Sequence, residues 1–100
     1  MTPFDQIGRL FTAQDIPANS NLNSYTTVGI YSIDSSSTAA TISNVPAEKG
    51  GMLKVEPFAA NGDIIQTFRT RETNFNIYQR TLTVSSSNWA SWKKIAQTLN

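Results

Sequence analysis

Residues 51–71, GMLKVEPFAANGDIIQTFRTR, decide the fold. Over 51–58, Leu53 and Val55 alternate with Lys54 and Glu56, the two-residue period of a strand with one dry and one wet face. Asn61-Gly62 follows. Both residues tolerate the positive φ that a type I′ hairpin requires, so this pair predicts a tight turn. Residues 63–71 then read as the partner strand. The segment predicts two antiparallel strands and sets the pattern for the rest of the chain.

Outward from this hairpin, residues 25–34 (YTTVGIYSID) are rich in β-branched and aromatic side chains and read as a strand that ends in serines. A weaker strand is expected at 40–43. Residues 44–51, with Pro46 and Gly50-Gly51, read as a loop. Residues 74–84 form a further strand, 85–88 (SSSN) a second turn, and 88–95 a closing strand. Residues 2–15 differ: Thr2-Pro3 suits a helix start, and Phe4, Ile7, Leu10 and Phe11 fall on one helical face. That stripe either packs on the domain or ends an upstream stalk. The predicted fold is mainly β, a small antiparallel meander of five or six short strands with a short N-terminal helix. Residues 1–18 form an arm and 19–100 the β domain.

Composition narrows the function. Apolar residues are 39% and charged residues 15% of 100, both below the usual globular shares of about 45–50% and 25%. Ser, Thr and Asn take up roughly a third of the chain. Such a surface suits hydrogen bonding to neutral polar partners, sugars among them, and fits an exported or virion protein. A net charge of +1 offers no footprint for nucleic acid or anionic lipid. No segment reaches the ~18 apolar residues of a membrane span, and Met1 to Gln14 lack the marks of a signal peptide. An extracellular place would then be reached within a particle or a longer chain. Cysteine and histidine are absent, which removes disulfides, thiol chemistry and the commonest general base.

The remaining titratable groups do not assemble a reaction. Glu56 and Asp63 flank the Asn61-Gly62 turn and could come near each other, but they read as a pair of ordinary solvated charges. There is no nucleophile–base pair, no phosphate loop and no metal-ligand cluster. No enzyme activity and no cofactor are expected.

At the C-terminal end, Ile77-Tyr78-Gln79-Arg80, a polar turn, and Trp89-Ala90-Ser91-Trp92-Lys93-Lys94-Ile95 resemble the "Y-x-R … W-S-x-W-x-x-I" ending of phage tail-fibre and pyocin tail-fibre knob domains. Leu22-Asn23-Ser24-Tyr25 and Thr27-Val28-Gly29-Ile30-Tyr31 resemble the family's opening, with Asn21 where an Asp is usual. Residues 47–58 and Ile65 to Phe68 look like its loop and its second and third strands. The likeness covers about residues 19–96. It implies a knob in the tail of a phage or phage-derived particle, homotrimeric within a longer fibre. Such a knob either attaches to a bacterial surface glycan or spaces the fibre shaft from its tip.

The residues with the chemistry for a receptor are Tyr78, Arg80, Trp92, Arg69, Asn61 and Asn88, and each also has a structural reading. Trp89 and Trp92, three apart in an extended strand, are expected on opposite faces, one filling the core. Arg80 shares a face with Tyr78 and either clamps an aromatic ring or meets a ligand. Arg69 and Arg71 either contact an acidic polysaccharide or remain solvated strand-end charges. Tyr25 and Tyr31 brace the sheet, and Lys93-Lys94 is a solvated pair. The expected ligand surface is made by loops at one end: 34–37, 61–62 and 85–88.

Overall fold

The computed structural model describes residues 12–95. The Phe4/Ile7/Leu10/Phe11 stripe lies outside the described residues. Seven strands lie among them: β1 (Gln14–Asp15), β2 (Gly29–Ile33), β3 (Gly51–Pro57), β4 (Ile64–Thr70), β5 (Ile77–Thr83), β6 (Asn88–Trp89) and β7 (Lys93–Ile95). They form one sheet in the order β1-β2-β3-β4-β5-β6, with β7 also pairing β5. From β2 onward every pairing is antiparallel, as the meander requires.

The β3–β4 hairpin forms where its alternation places it, with Leu53 opposite Phe68 and Val55 opposite Gln66. Its turn is not type I′. Gly62 has φ +100, but Asn61 is not among the residues with positive φ. Phe58 N donates to Asp63 O at 2.8 Å, and Gly62 N donates to Ala59 O at 3.2 Å. The loop is therefore longer, and one left-handed glycine closes it where the type I′ geometry would need two such residues.

Two other segments differ from expectation. Residues 40–43 are not a strand: a helical turn, α1 (Ser36–Ala39), precedes them, and Ser43 makes only an isolated bridge to Asn21. Ser35 caps α1, its hydroxyl accepting from Thr38 N at 3.2 Å. The serine run is thus used as an N-cap, a position these side chains favour. Pairing also starts ahead of residue 19. β1 runs parallel to β2, Ile16 N donates to Ser32 O at 2.8 Å, and Ile16 is fully buried.

Among the described residues, segments leave one face of the sheet open and cover the other. Tyr31, Ile33, Leu53, Val55, Ile64, Phe68 and Leu82 point to that face, and Ile16, Leu22, Ala39 and Ile42 from the connecting segments close over it. Each fully buried aliphatic chain contributes ~1.5–3 kcal/mol. Tyr31 packs edge-on to Tyr25, with centroids 5.0 Å apart, and its hydroxyl donates to Thr27 O at 2.7 Å. Burial first, and Tyr25 second, push the Tyr31 phenol pKa up. The tyrosines brace the sheet, as expected. Across the opposite face run Met52, Arg69, Ile77 and Ile95 in one cross-strand row, with Met52 39% and Ile95 37% exposed.

Gly51 marks the tightest approach in the sheet. A Cβ there would collide with the Arg69 carbonyl oxygen and stand 2.9 Å from Phe68 Cζ. Neither the paired backbone nor the buried ring has room to retreat. Gly51→Ala should cost about 2–3 kcal/mol as overpacking against backbone. A urea midpoint unchanged from the parent protein would refute this account of the β3–β4 contact.

Candidate functional site

Arg80 lies at the centre of a connected group of polar and aromatic side chains. Alternation along β5 turns it to the covered face beside Leu82, and register sets it opposite Gln66 of β4. It is 6% exposed and Gln66 is fully buried. Arg80 Nε donates to Gln66 Oε1 at 2.8 Å. Gln66 Nε2 in turn donates to the carbonyls of Leu22 (2.8 Å) and Tyr25 (2.9 Å) around the 3₁₀ turn Leu22–Ser24. The guanidinium carbon lies 4.0 Å from the Trp89 ring centroid and 4.6 Å from that of Trp92.

Both indoles reach one cation because the closing strand is broken. Leu82 pairs with Trp89, but Gln79 pairs with Lys93, so Ala90, Ser91 and Trp92 stand against only Arg80 and Thr81. Ala90 N still donates to Thr81 O at 2.9 Å. One extra residue on one strand is a β-bulge, and it shifts the alternation downstream by one. The expectation of opposite faces for Trp89 and Trp92 is therefore overturned. Trp92 Nε1 donates to Asn44 O at 2.8 Å, and Asn44 Nδ2 donates to Asn21 Oδ1 at 2.8 Å. Asn21 Oδ1 also accepts from Asn23 N at 2.9 Å, so the residue standing in place of Asp supplies the same acceptor.

Burial pushes the Arg80 pKa down to about 10, which leaves it cationic at neutral pH. Its Nη2 is buried without a hydrogen-bond partner. Two π faces and one amide oxygen therefore compensate the charge, each desolvated cation–π contact being worth about 2 kcal/mol.

The other expected contact residues do not gather around this centre. Tyr78 is half-buried against the core, opposite Phe68. Arg69 is exposed on the uncovered face, 3.9 Å from the Phe75 centroid. Asn61 sits exposed on the β3–β4 loop, and Asn88 is exposed where β6 starts opposite Thr83. Of the three loops, 58–63 and 84–88 meet, Asp63 Oδ1 accepting from Val84 N at 3.0 Å. Loop 34–37 follows β2 at the other end of the sheet, where Ile33 pairs with Gly51, so the three do not form one surface. Nor do Glu56 and Asp63 act as a pair: Glu56 meets Lys54 at 3.6 Å, and Asp63 holds Val84.

Arg71 is more than a solvated charge. Its Nη1 donates to Asp34 O (2.9 Å), its Nη2 to Ser32 Oγ (3.1 Å) and Ile33 O (3.2 Å), and its backbone N to Gly50 O (2.9 Å). This clamp and Gln66 were both missed in the sequence. For Gln66 a signal exists, because a polar residue at an inward position between Ile64 and Phe68 demands buried partners. The uncovered face carries two shallow grooves. One of about 330 Å³ includes Ser32, Met52, Arg69 and Glu72; the other, of about 260 Å³, includes Phe58, Ile65, Gln79, Ser91 and Lys93. Among the described residues no cluster of carboxylates could hold a metal.

No protein-family model matches the chain, and no curated protein sequence matches it. Solved structures do. An N-truncated R2-type pyocin tail fibre superposes with a TM-score of 0.76 at 27% identity, over 87% of this chain and 34% of that one. The R2 pyocin fibre of P. aeruginosa gives 0.76 at 29% identity over 91% of this chain and 25% of its own. The tail fibre of Staphylococcus aureus phage P68, at 24% identity and a TM-score of 0.69, shares the fold. The chain thus spans about a quarter to a third of the pyocin fibres.

Arg80→Lys should cost about 2 kcal/mol, because an ammonium gives up the planar stack and the Nε bond to Gln66. Urea unfolding followed by tryptophan emission would register the loss, and an unchanged midpoint would remove Arg80 from its central role. The sign for pH follows from the lowered pKa. The folded state gives up the proton first, so burial of this charge costs stability until pH rises past about 10, and relief comes only above that. The difference between Arg80→Met and the parent should therefore stay constant through the neutral range.

Proposed function

We propose that this chain, a tail-fibre domain placed in a virion tail, acts as a rigid, non-catalytic knob that serves host-surface attachment by holding the fibre in shape. One observation carries the reading: the side chains best suited to recognise a receptor are spent inside the domain. Arg80, Trp89, Trp92 and Tyr78 pack on the covered face or on one another, and Arg71 clamps a loop. The domain comprises the sheet and its covering segments. The knob assembles as a homotrimer within a longer fibre. Support for assembly comes from the uncovered face, where Met52, Phe58 and Ile95 keep 39%, 61% and 37% of their surface exposed. Apolar residues gathered on one sheet face fit burial between subunits.

A second reading, glycan binding, is favoured by the groove of about 260 Å³, where exposed Phe58 stands near Gln79, Ser91 and Lys93. An aromatic face beside amide, hydroxyl and ammonium groups suits a neutral sugar.

Two measurements separate the readings. Sedimentation at high concentration should give a trimer, and a clean monomer would remove the self-assembling knob. The oligomer, titrated against host cells and a cell-wall glycan panel, should fail to bind. Binding lost in Phe58→Ala but kept in Arg69→Ala would replace the structural reading with the adhesive one.

A further inference from the structure

Asn61-Gly62 is the only Asn-Gly pair in the chain, and both residues are exposed on the β3–β4 loop. The Asn61 side chain folds back along its own backbone, its Oδ1 accepting from Asp63 N at 3.1 Å. A ring closed from a side-chain oxygen to the amide two residues on encloses the intervening peptide nitrogen, here that of Gly62, and keeps the carboxamide on its side of the backbone. Gly62 has no Cβ to shield that nitrogen, and its hydrogen bond to Ala59 O is long at 3.2 Å.

We infer that Asn61 is a site of spontaneous, intramolecular modification, in which the Gly62 amide converts the asparagine to aspartate and isoaspartate. Hydroxide or a buffer base removes the Gly62 amide proton, and the nitrogen attacks Asn61 Cγ. As the N–Cγ bond forms, negative charge collects on Oδ1, where the Asp63 N–H already points. The Cγ–Nδ2 bond then breaks, and the nitrogen departs as ammonia with a proton from solvent. Water opens the resulting succinimide at either carbonyl. The balance is one water consumed and one ammonia released, with no oxidant, metal or cofactor. Selectivity follows from the next residue along the chain. Asn19 and Asn23 precede Ser20 and Ser24, and Asn44, Asn74, Asn76 and Asn88 precede still larger side chains that shield the attacking nitrogen. Asn44 is further held through its Nδ2 by Asn21.

The product matters because of where it forms. A new carboxylate takes the formal net charge from +1 to zero and stands beside Asp63, whose own carboxylate holds Val84 N. The isoaspartyl form also adds a backbone carbon to the loop that meets Val84. The modification therefore alters the end of the sheet where two hairpins come together.

The full chain, held folded at mildly alkaline pH and physiological temperature, would be followed by peptide mapping and isoaspartyl methyltransferase labelling. Position 61 should convert about tenfold faster than any other asparagine, a gap set by the two activation barriers. Asn61→Gln should keep the fold and abolish the acidic charge variant. The inference is overturned if the folded protein stays unmodified at 61 while a peptide of residues 58–64 converts. Conversion that occurs only in urea, or that falls first on another asparagine, overturns it as well.

Discussion

A single guanidinium holds together parts of the chain that are far apart in sequence. Arg80 touches Trp89 and Trp92 from the closing strand and Gln66 from β4, and Gln66 reaches the turn at Leu22 to Tyr25. Through Trp92 the same group extends to Asn44, and through Asn44 to Asn21. Taking a charge out of water costs several kcal/mol, so this arrangement persists only because each neighbour compensates part of that cost. A small core gains something from it that more leucines would not supply. Apolar contacts tolerate sliding, whereas a planar cation between two rings with a fixed amide partner permits one register.

The constraint explains the bulge. An unbroken strand would place only one of the two tryptophans over Arg80, and the other would face the uncovered side. One extra residue between Trp89 and Lys93 turns both inward and leaves Lys93 and Ile95 on the outer face. Period counting cannot find such a residue, because Ala90-Ser91-Trp92 carries no turn signal and no break in polarity. For that reason the centre of the site was legible by residue type and illegible by geometry.

Elsewhere legibility followed the strength of the local signal. Leu53, Val55, Ile64 and Phe68 alternate cleanly, and their strands lie where the alternation places them. Residues 35–43 carry two competing signals, β-branched Thr38, Thr41 and Ile42 against a serine cap and paired alanines. The cap prevails, because Ser35 satisfies a backbone donor at once and Ala39 enters the core from a helical turn. Arg71 was hidden for a different reason. Its three acceptors lie in residues 32–34, nearly forty positions away in the chain, and only the closed sheet brings them within reach.

The placement of the two edge strands has a mechanical consequence. β1 rises beside β2 at one edge, and β7 rises beside β5 at the other, but Gln14 shares the Tyr31–Leu53–Phe68–Tyr78 row with Lys94, so Gln14 and Ile95 stand almost level across the sheet. A pull on Gln14 against Ile95 would therefore run mainly across the strands and load each ladder in turn. The β1–β2 pairing, with two residues on each strand, would part well before the seven-residue β3–β4 hairpin. The narrow edge, and not the broad hairpin, sets how much sideways stretch the sheet can bear.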